Sequence, residues 1–117
     1  MQRKYVIIIF DKPMSRPEII SELQLLLHRI APDAQFWLYG SEARGEARID
    51  SDIDLLILLD KDKVSREDEK MISYPLFDFE VEKGVIISPK IFSKKMWFEK
   101  YSITPFFENV TKESIQL

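Results

Sequence analysis

Leu38-Tyr39-Gly40-Ser41-Glu42-Ala43-Arg44-Gly45, followed by Ser51-Asp52-Ile53-Asp54-Leu55-Leu56-Ile57-Leu58-Leu59-Asp60, is the stretch on which the fold turns. Its second half is a nearly continuous apolar run of strand length. That predicts a central strand over Ile53 to Leu59, buried on both faces. Residues two apart on a strand point the same way. Asp52 and Asp54 therefore present both carboxylates on one face, where the buried strand begins. The first half brings a short aromatic strand, Phe36 to Tyr39, into a Gly-Ser turn.

Two carboxylates about 4 Å apart repel by roughly 4 kcal/mol at an effective dielectric near 20. The cost is relieved if one protonates, if both splay into water, or if a cation sits between them. Mg²⁺ suits the third option, because it takes one or two carboxylates and fills its octahedron with water and phosphate oxygens. Gly40 lets the backbone turn sharply and approach a ligand closely. Ser41 adds a hydroxyl donor, and exposed N–H groups after such a turn make an anion site. Arg44 can fork onto phosphate oxygens, and Gly45 lets the loop fold back toward the strand. Each part alone has an ordinary reading: a turn, a solvated loop–strand junction, a surface arginine. In this order and at this spacing they join a phosphate cradle to a metal-binding pair, the pattern of phosphoryl or nucleotidyl transfer.

Upstream, Val6 to Phe10 reads as a short edge strand or extended arm. Ser15 with Glu18 is a capping-box pattern, and Pro17 suits a first turn. Ile19, Ile20, Leu23, Leu26, Leu27 and Ile30 recur at helical spacing, predicting a helix from Arg16 to Ile30 stopped by Ala31-Pro32. Glu42 to Ser51 is polar, with room for a helical turn. Downstream, Asp60 to Lys63 is a solvated turn. Ser65 caps a second helix whose first turn holds Glu67, Asp68 and Glu69, where negative charge suits the helix dipole. From Met71 to Gly84 two patterns compete. Asp78, Glu80 and Glu82 alternate with Phe77, Phe79 and Val81 as in a strand, but Lys83-Gly84 is a good helix C-terminus. A helix kinked or restarted at Pro75 is favoured, with Val85 to Ile87 as the next strand, continuing past Pro89 to Ile91-Phe92. Ser93 starts a last helix holding Trp97, Phe98 and Tyr101. The tail from Thr104 to Leu117 is expected to pack on the domain.

At 117 residues, 45% hydrophobic and 32% charged, the chain reads as one soluble globular domain over residues 1–117. The net charge of −3 argues against a general nucleic-acid binder but not against a nucleotide substrate, whose charge a metal can offset. There is no cysteine, which excludes disulfides, thiolate zinc sites and a cysteine nucleophile, and fits the cytoplasm. No apolar run approaches the roughly 20 residues that span a bilayer. Tyr5 to Phe10 is too short for a signal peptide and ends at Asp11-Lys12-Pro13 without a small-residue cleavage site.

Gly40-Ser41-Glu42-Ala43-Arg44-Gly45 with Ser51-Asp52-Ile53-Asp54-Leu55 resembles the signature of the minimal nucleotidyltransferases of the DNA polymerase β superfamily. The resemblance spans roughly Ser15 to Phe92. It implies an α+β fold, a two-layer arrangement with a small mixed sheet backed by helices. It implies that Gly40 and Ser41, with Arg44, hold a nucleoside triphosphate, and that Asp52 and Asp54 bind Mg²⁺. The reaction implied is attack of a hydroxyl on the α-phosphorus of ATP or another triphosphate, with pyrophosphate leaving. Such proteins usually carry a third carboxylate on a later strand. The matching strand, Val85 to Ile91, has none; if Phe77 to Glu82 were that strand, Asp78, Glu80 or Glu82 could serve. Surface charge on a helix is the favoured reading of those three. The resemblance begins almost at Met14, which suggests a translation start there and makes residues 1–13 an N-terminal extension, with 104–117 as a C-terminal tail.

The chain is too short for a separate acceptor domain, so a partner or an open cleft must present the acceptor. The resemblance implies a HEPN-type helical partner in a toxin–antitoxin pair and adenylylation of a protein hydroxyl. A non-catalytic, antitoxin-like module of the same fold is the rival reading. Modification of a small molecule is a third, for which a homodimer would build the pocket. Among other residues, His28 is expected on the helix surface, and Trp37 and Tyr39 fill the core or sheet surface rather than stack on a base. Trp97, Phe98, Tyr101, Phe106 and Phe107 are expected to close the core, any exposed remainder marking a partner or dimer surface.

Overall fold

A computed structural model describes residues 14–117. The strand or arm expected at Val6 to Phe10, and the proposed extension as a whole, lie outside the described residues. The chain runs α1 (Arg16–Ile30), β1 (Gln35–Tyr39), α2 (Ser41–Arg44), β2 (Ile53–Leu59), α3 (Arg66–Lys83), β3 (Ile87–Ser93), α4 (Lys94–Glu99), α5 (Pro105–Glu113) and β4 (Ile115–Gln116). The strands form one four-stranded mixed sheet in the order β3-β2-β1-β4. β1 pairs antiparallel with β2 and β4, and β2 pairs parallel with β3. The fold is the small mixed α+β sheet backed by helices that the central stretch implied.

β2 is central because its alternate residues feed two separate clusters. Ile53, Leu55, Ile57 and Leu59 pack with Leu23, Leu27, Phe36, Ile72 and Leu76 under α1 and α3. Leu56 and Leu58 pack with Trp97 and Val110, covered by Trp37, Phe92, Tyr101, Phe106 and Phe107. Each fully buried Leu or Ile contributes about 1.5–3 kcal/mol relative to exposure, so a strand buried on both sides anchors the domain. Asp54 precedes Leu56 on the second face. The apolar cover ends there and the polar site begins.

α1 starts as expected, with both halves of the Ser15/Glu18 capping box formed and Ala31 closing its C-terminus. α3 differs from the expectation of a kink or restart. It runs unbroken for 18 residues with Pro75 inside it. Ile72, Leu76 and Phe79 are buried on the sheet side and hold both halves to one surface, outweighing the missing proline N–H. β3 begins two residues later than the expected Val85, and Pro89 sits within it opposite Leu55. β3 is a sheet edge, where a proline is tolerated. The last expected helix is shorter, with Tyr101 beyond its end. The tail does pack: Thr104 caps α5, and β4 joins the sheet through Trp37↔Gln116 and Leu38↔Ile115. His28 is exposed, and its Nε2 lies 3.2 Å from the Leu117 carbonyl.

The α3 cap carries the clearest pH signature. The buried Asp68 carboxylate accepts from Lys61 Nζ at 2.5 Å and from the Ser65 N–H at 2.9 Å. The Lys61 ammonium first, and then Ser65, hold its pKa down at about 2 against an ordinary 3.8. A depressed carboxylate stabilises the fold above its unfolded pKa, and that contribution is lost as pH falls through the folded value. Thermal unfolding should therefore show stability falling from about pH 4 to about pH 2. Asp68→Asn should lower the melting temperature at pH 7 and flatten that acid dependence. A variant with the wild-type melting curve across that range would contradict the cap assignment.

Candidate active site

β1 ends at Tyr39 and the chain reverses at Gly40, with φ 69° and ψ −148°. That region of backbone space is essentially restricted to glycine. The position also has no room for a side chain, because a Cβ there would overlap the Asp54 carboxylate. The turn and the carboxylate are thus in direct contact. α2 follows at once, and Gly45 closes it in the left-handed conformation at φ 72°. The Arg44 N–H donates to the Gly40 carbonyl at 3.1 Å and the Glu46 N–H to the Ser41 carbonyl at 2.9 Å, which fixes the compact loop.

Asp54 is half-buried on β2 opposite Tyr39, and the exposed Asp52 stands one residue before the strand. Burial pushes the Asp54 pKa up, and the charge of Asp52 pushes it further, while Lys90 and Arg44 pull the other way. Tyr39 is raised to about 12, by burial first and by Asp54 second, so its hydroxyl stays protonated. The register sets Ser88 beside Asp54 and Lys90 beside Leu56 on the neighbouring strand. A hydroxyl and an ammonium stand where a third carboxylate was sought.

Asp78, Glu80 and Glu82 lie on α3, the helix that packs over the other sheet face. Glu80 Oε2 accepts from the Ile87 N–H at 2.8 Å, and Asp78 and Glu82 border a groove with Glu22, Arg29 and Lys83. None joins Asp52 and Asp54. Among the described residues no group of three or more His, Cys, Asp or Glu side chains is placed to hold a metal ion. Trp37 lines an apolar cavity with Leu56, Trp97 and Val110, and Tyr39 meets Phe106 edge-on at 5.5 Å, both consistent with packing.

Two residues at this site had no readable signal in the sequence. Arg16, at the start of α1, donates through Nε to Glu42 at 2.7 Å and through Nη2 to the Ser51 carbonyl at 2.6 Å. It ties α2 to the residue just before Asp52, so the cradle and the carboxylates share one brace. Glu113, the last residue of α5, accepts from the Gly40 N–H at 3.0 Å and from Arg44 Nη1 at 2.9 Å. Arg44 also donates through Nε to Glu46 at 2.8 Å.

The nucleotidyltransferase domain family matches residues 16–116, from the Arg16 brace to β4. The chain belongs to this family. A provisionally assigned minimal nucleotidyltransferase of known structure is 26% identical, with a TM-score of 0.59 over 92% of this chain and 100% of that one. A chain from a crystal structure of a toxin–antitoxin with AMP-PNP is 17% identical and shares the fold, with a TM-score of 0.56 over 82% of this chain and 69% of that one. No curated protein gives a significant match. In this nucleotidyltransferase domain the Gly-Ser turn, Arg44 and the two aspartates converge at one corner of the sheet. No helix among the described residues is long and apolar enough to cross a membrane.

Proposed function

We propose that this domain transfers a nucleoside monophosphate, AMP from ATP, to a hydroxyl of an acceptor, with Mg²⁺ held by Asp52 and Asp54. The observation that carries the reading is the contact between Gly40 and the Asp54 carboxylate, which supports treating the turn and the carboxylates as one site. The carboxylates suit a divalent ion: burial first and the charge of Asp52 second raise the pKa of the half-buried Asp54, and a cation between the two carboxylates would offset their repulsion. Two protein carboxylates, with phosphate and water completing the octahedron, fit Mg²⁺. When bound, the ion would polarise the triphosphate and neutralise charge on the leaving pyrophosphate. Gly40 and Ser41 seat the phosphates, Arg44 offsets their charge, and Arg16 keeps the loop in register with the carboxylates.

ATP labelled at the α- or the γ-phosphorus tests the reaction class. Relative to the same clarified lysate without the domain, added domain should raise the α label on an acceptor and leave the γ label unchanged. Transfer of the γ label instead would identify a phosphoryl transferase and end this reading.

The acceptor is proposed to arrive on a HEPN-type helical partner, in the cytoplasm. Two observations support a partner: the fold likeness to a toxin–antitoxin chain, and an exposed stripe on α3 formed by Met71, Tyr74, Phe77 and Val81. A homodimer through that stripe is the alternative. The rival reading, a binding module without catalysis, is favoured by one observation: Ser88 and Lys90 stand on β3 where a third carboxylate was sought. Nucleotide binding without any transfer of the α label would select it.

A further inference from the structure

The two donors assigned to phosphate, the Gly40 N–H and the Arg44 guanidinium, both bond the same atom, Oε2 of Glu113. A single oxygen accepting from both stands where an oxygen of a bound phosphate would sit. We propose that Glu113 is an intramolecular occupant of the phosphate cradle, which a metal-bound triphosphate must displace. The proposal rests on the nucleotidyl-transfer reading given above and adds a determinant of which ligands the cradle admits.

The fold brings the Glu113 backbone to this corner of the sheet. Glu113 ends α5, which is anchored by the buried Val110. Two residues later β4 is paired to β1, the strand that runs into Gly40. The helix is therefore fixed at both sides of the carboxylate. Glu113 is half-buried, and its charge also bears on Asp54. An uncomplexed triphosphate approaching this corner faces Asp52, Asp54 and Glu113 together, all repulsive. A triphosphate carrying a divalent ion brings the charge that offsets the aspartates, and its oxygens then compete with Glu113 for the two donors. The expected result is selectivity for the metal complex, at a cost in affinity. When pyrophosphate departs, Glu113 can return to the same donors.

Glu113→Gln keeps the shape and removes the charge; Glu113→Ala removes the acceptor as well. Glu108→Gln on the same helix serves as the control, because Glu108 is exposed and its ion pair among the described residues is with Lys112 at 3.7 Å. Each protein is titrated with Mg²⁺–ATP and with Mg²⁺–tripolyphosphate, a probe that lacks a base. The amide signal of Gly40 and the side-chain carboxyl signal of Glu113 are followed by NMR. Both Glu113 variants should bind both ligands about tenfold more tightly than wild type, since a charge-assisted bond no longer competes. Glu108→Gln should be unchanged. In wild type the Glu113 carboxyl signal should move as ligand is added. Unchanged or weaker binding in both folded Glu113 variants, with wild-type binding intact, would overturn the occupant role and leave nucleotidyl transfer standing. A Glu113 signal indifferent to a ligand that shifts Gly40 would overturn it without relying on any variant. Binding by the variants alone would support it. No binding of either ligand by any of the proteins would remove the cradle assignment and this proposal together.

Discussion

Gly40→Ala is expected to lose Mg²⁺-dependent ATP binding and to destabilise the domain by about 2 kcal/mol, a fall of roughly 8 °C in melting temperature. Two effects combine. The backbone angles at Gly40 lie where a Cβ is strained regardless of neighbours. The added Cβ would also overlap the Asp54 carboxylate, which must rotate away to admit it. The first effect acts on stability and the second on the site. Gly45→Ala separates them, because Gly45 also has positive φ but, among the described residues, no atom beyond its local backbone lies within 4 Å of its Cβ position. That variant should cost about 1 kcal/mol and leave nucleotide binding near the wild-type level. Calorimetry and thermal melts on the pair provide the comparison. Full ATP affinity in folded Gly40→Ala would contradict the contact between turn and carboxylate.

Asp54→Asn should have the opposite effect on stability and the same effect on function. The folded protein raises the Asp54 pKa, so the native state favours the protonated form. Such a group adds stability below its unfolded pKa, near 3.8, and loses that contribution as pH rises through the folded value. At neutral pH the charged carboxylate is therefore a burden on the fold. Asparagine removes the charge at nearly constant shape, so the melting temperature should hold or rise. Metal-dependent nucleotide binding should disappear, and transfer of the α label should fall by about three orders of magnitude. Asp52→Asn should match it in binding, but it is exposed and has less to gain in stability. A functional group that weakens its own fold is common at sites built for charge. A less stable Asp54→Asn that still binds Mg²⁺–ATP would contradict both halves of this expectation.

The parts of the fold readable in the sequence are those set by local rules. Ile53 to Leu59 announces a doubly buried strand because no polar residue interrupts it after Asp54. Ser15 with Glu18 announces a helix start because both hydrogen bonds close within one turn. The Gly-Ser turn and the aspartates were legible as a candidate site because their chemistry is rare in combination. What was not legible depends on contacts distant in sequence. Glu113 reaches Gly40 across 73 positions, and Arg16 reaches Ser51 across 35. Neither leaves a local pattern. β4 is two residues long and exists only because β1 offers it an edge. Thr104 before Pro105 did carry a helix-start signal, a capping hydroxyl followed by proline, and it could have located α5. Pro75 argued for a break, but burial of Ile72, Leu76 and Phe79 decided the matter.

Calorimetric titration of ATP, with and without Mg²⁺, into wild type and Asp52→Asn tests most directly whether the turn and the aspartates form one nucleotide site. Wild type should bind ATP only when Mg²⁺ is present, and Asp52→Asn should show no metal-dependent heat while keeping its fold. Equal Mg²⁺–ATP binding by the two proteins, or binding that ignores the metal, would contradict the assignment of Asp52 and Asp54 as the metal-holding pair.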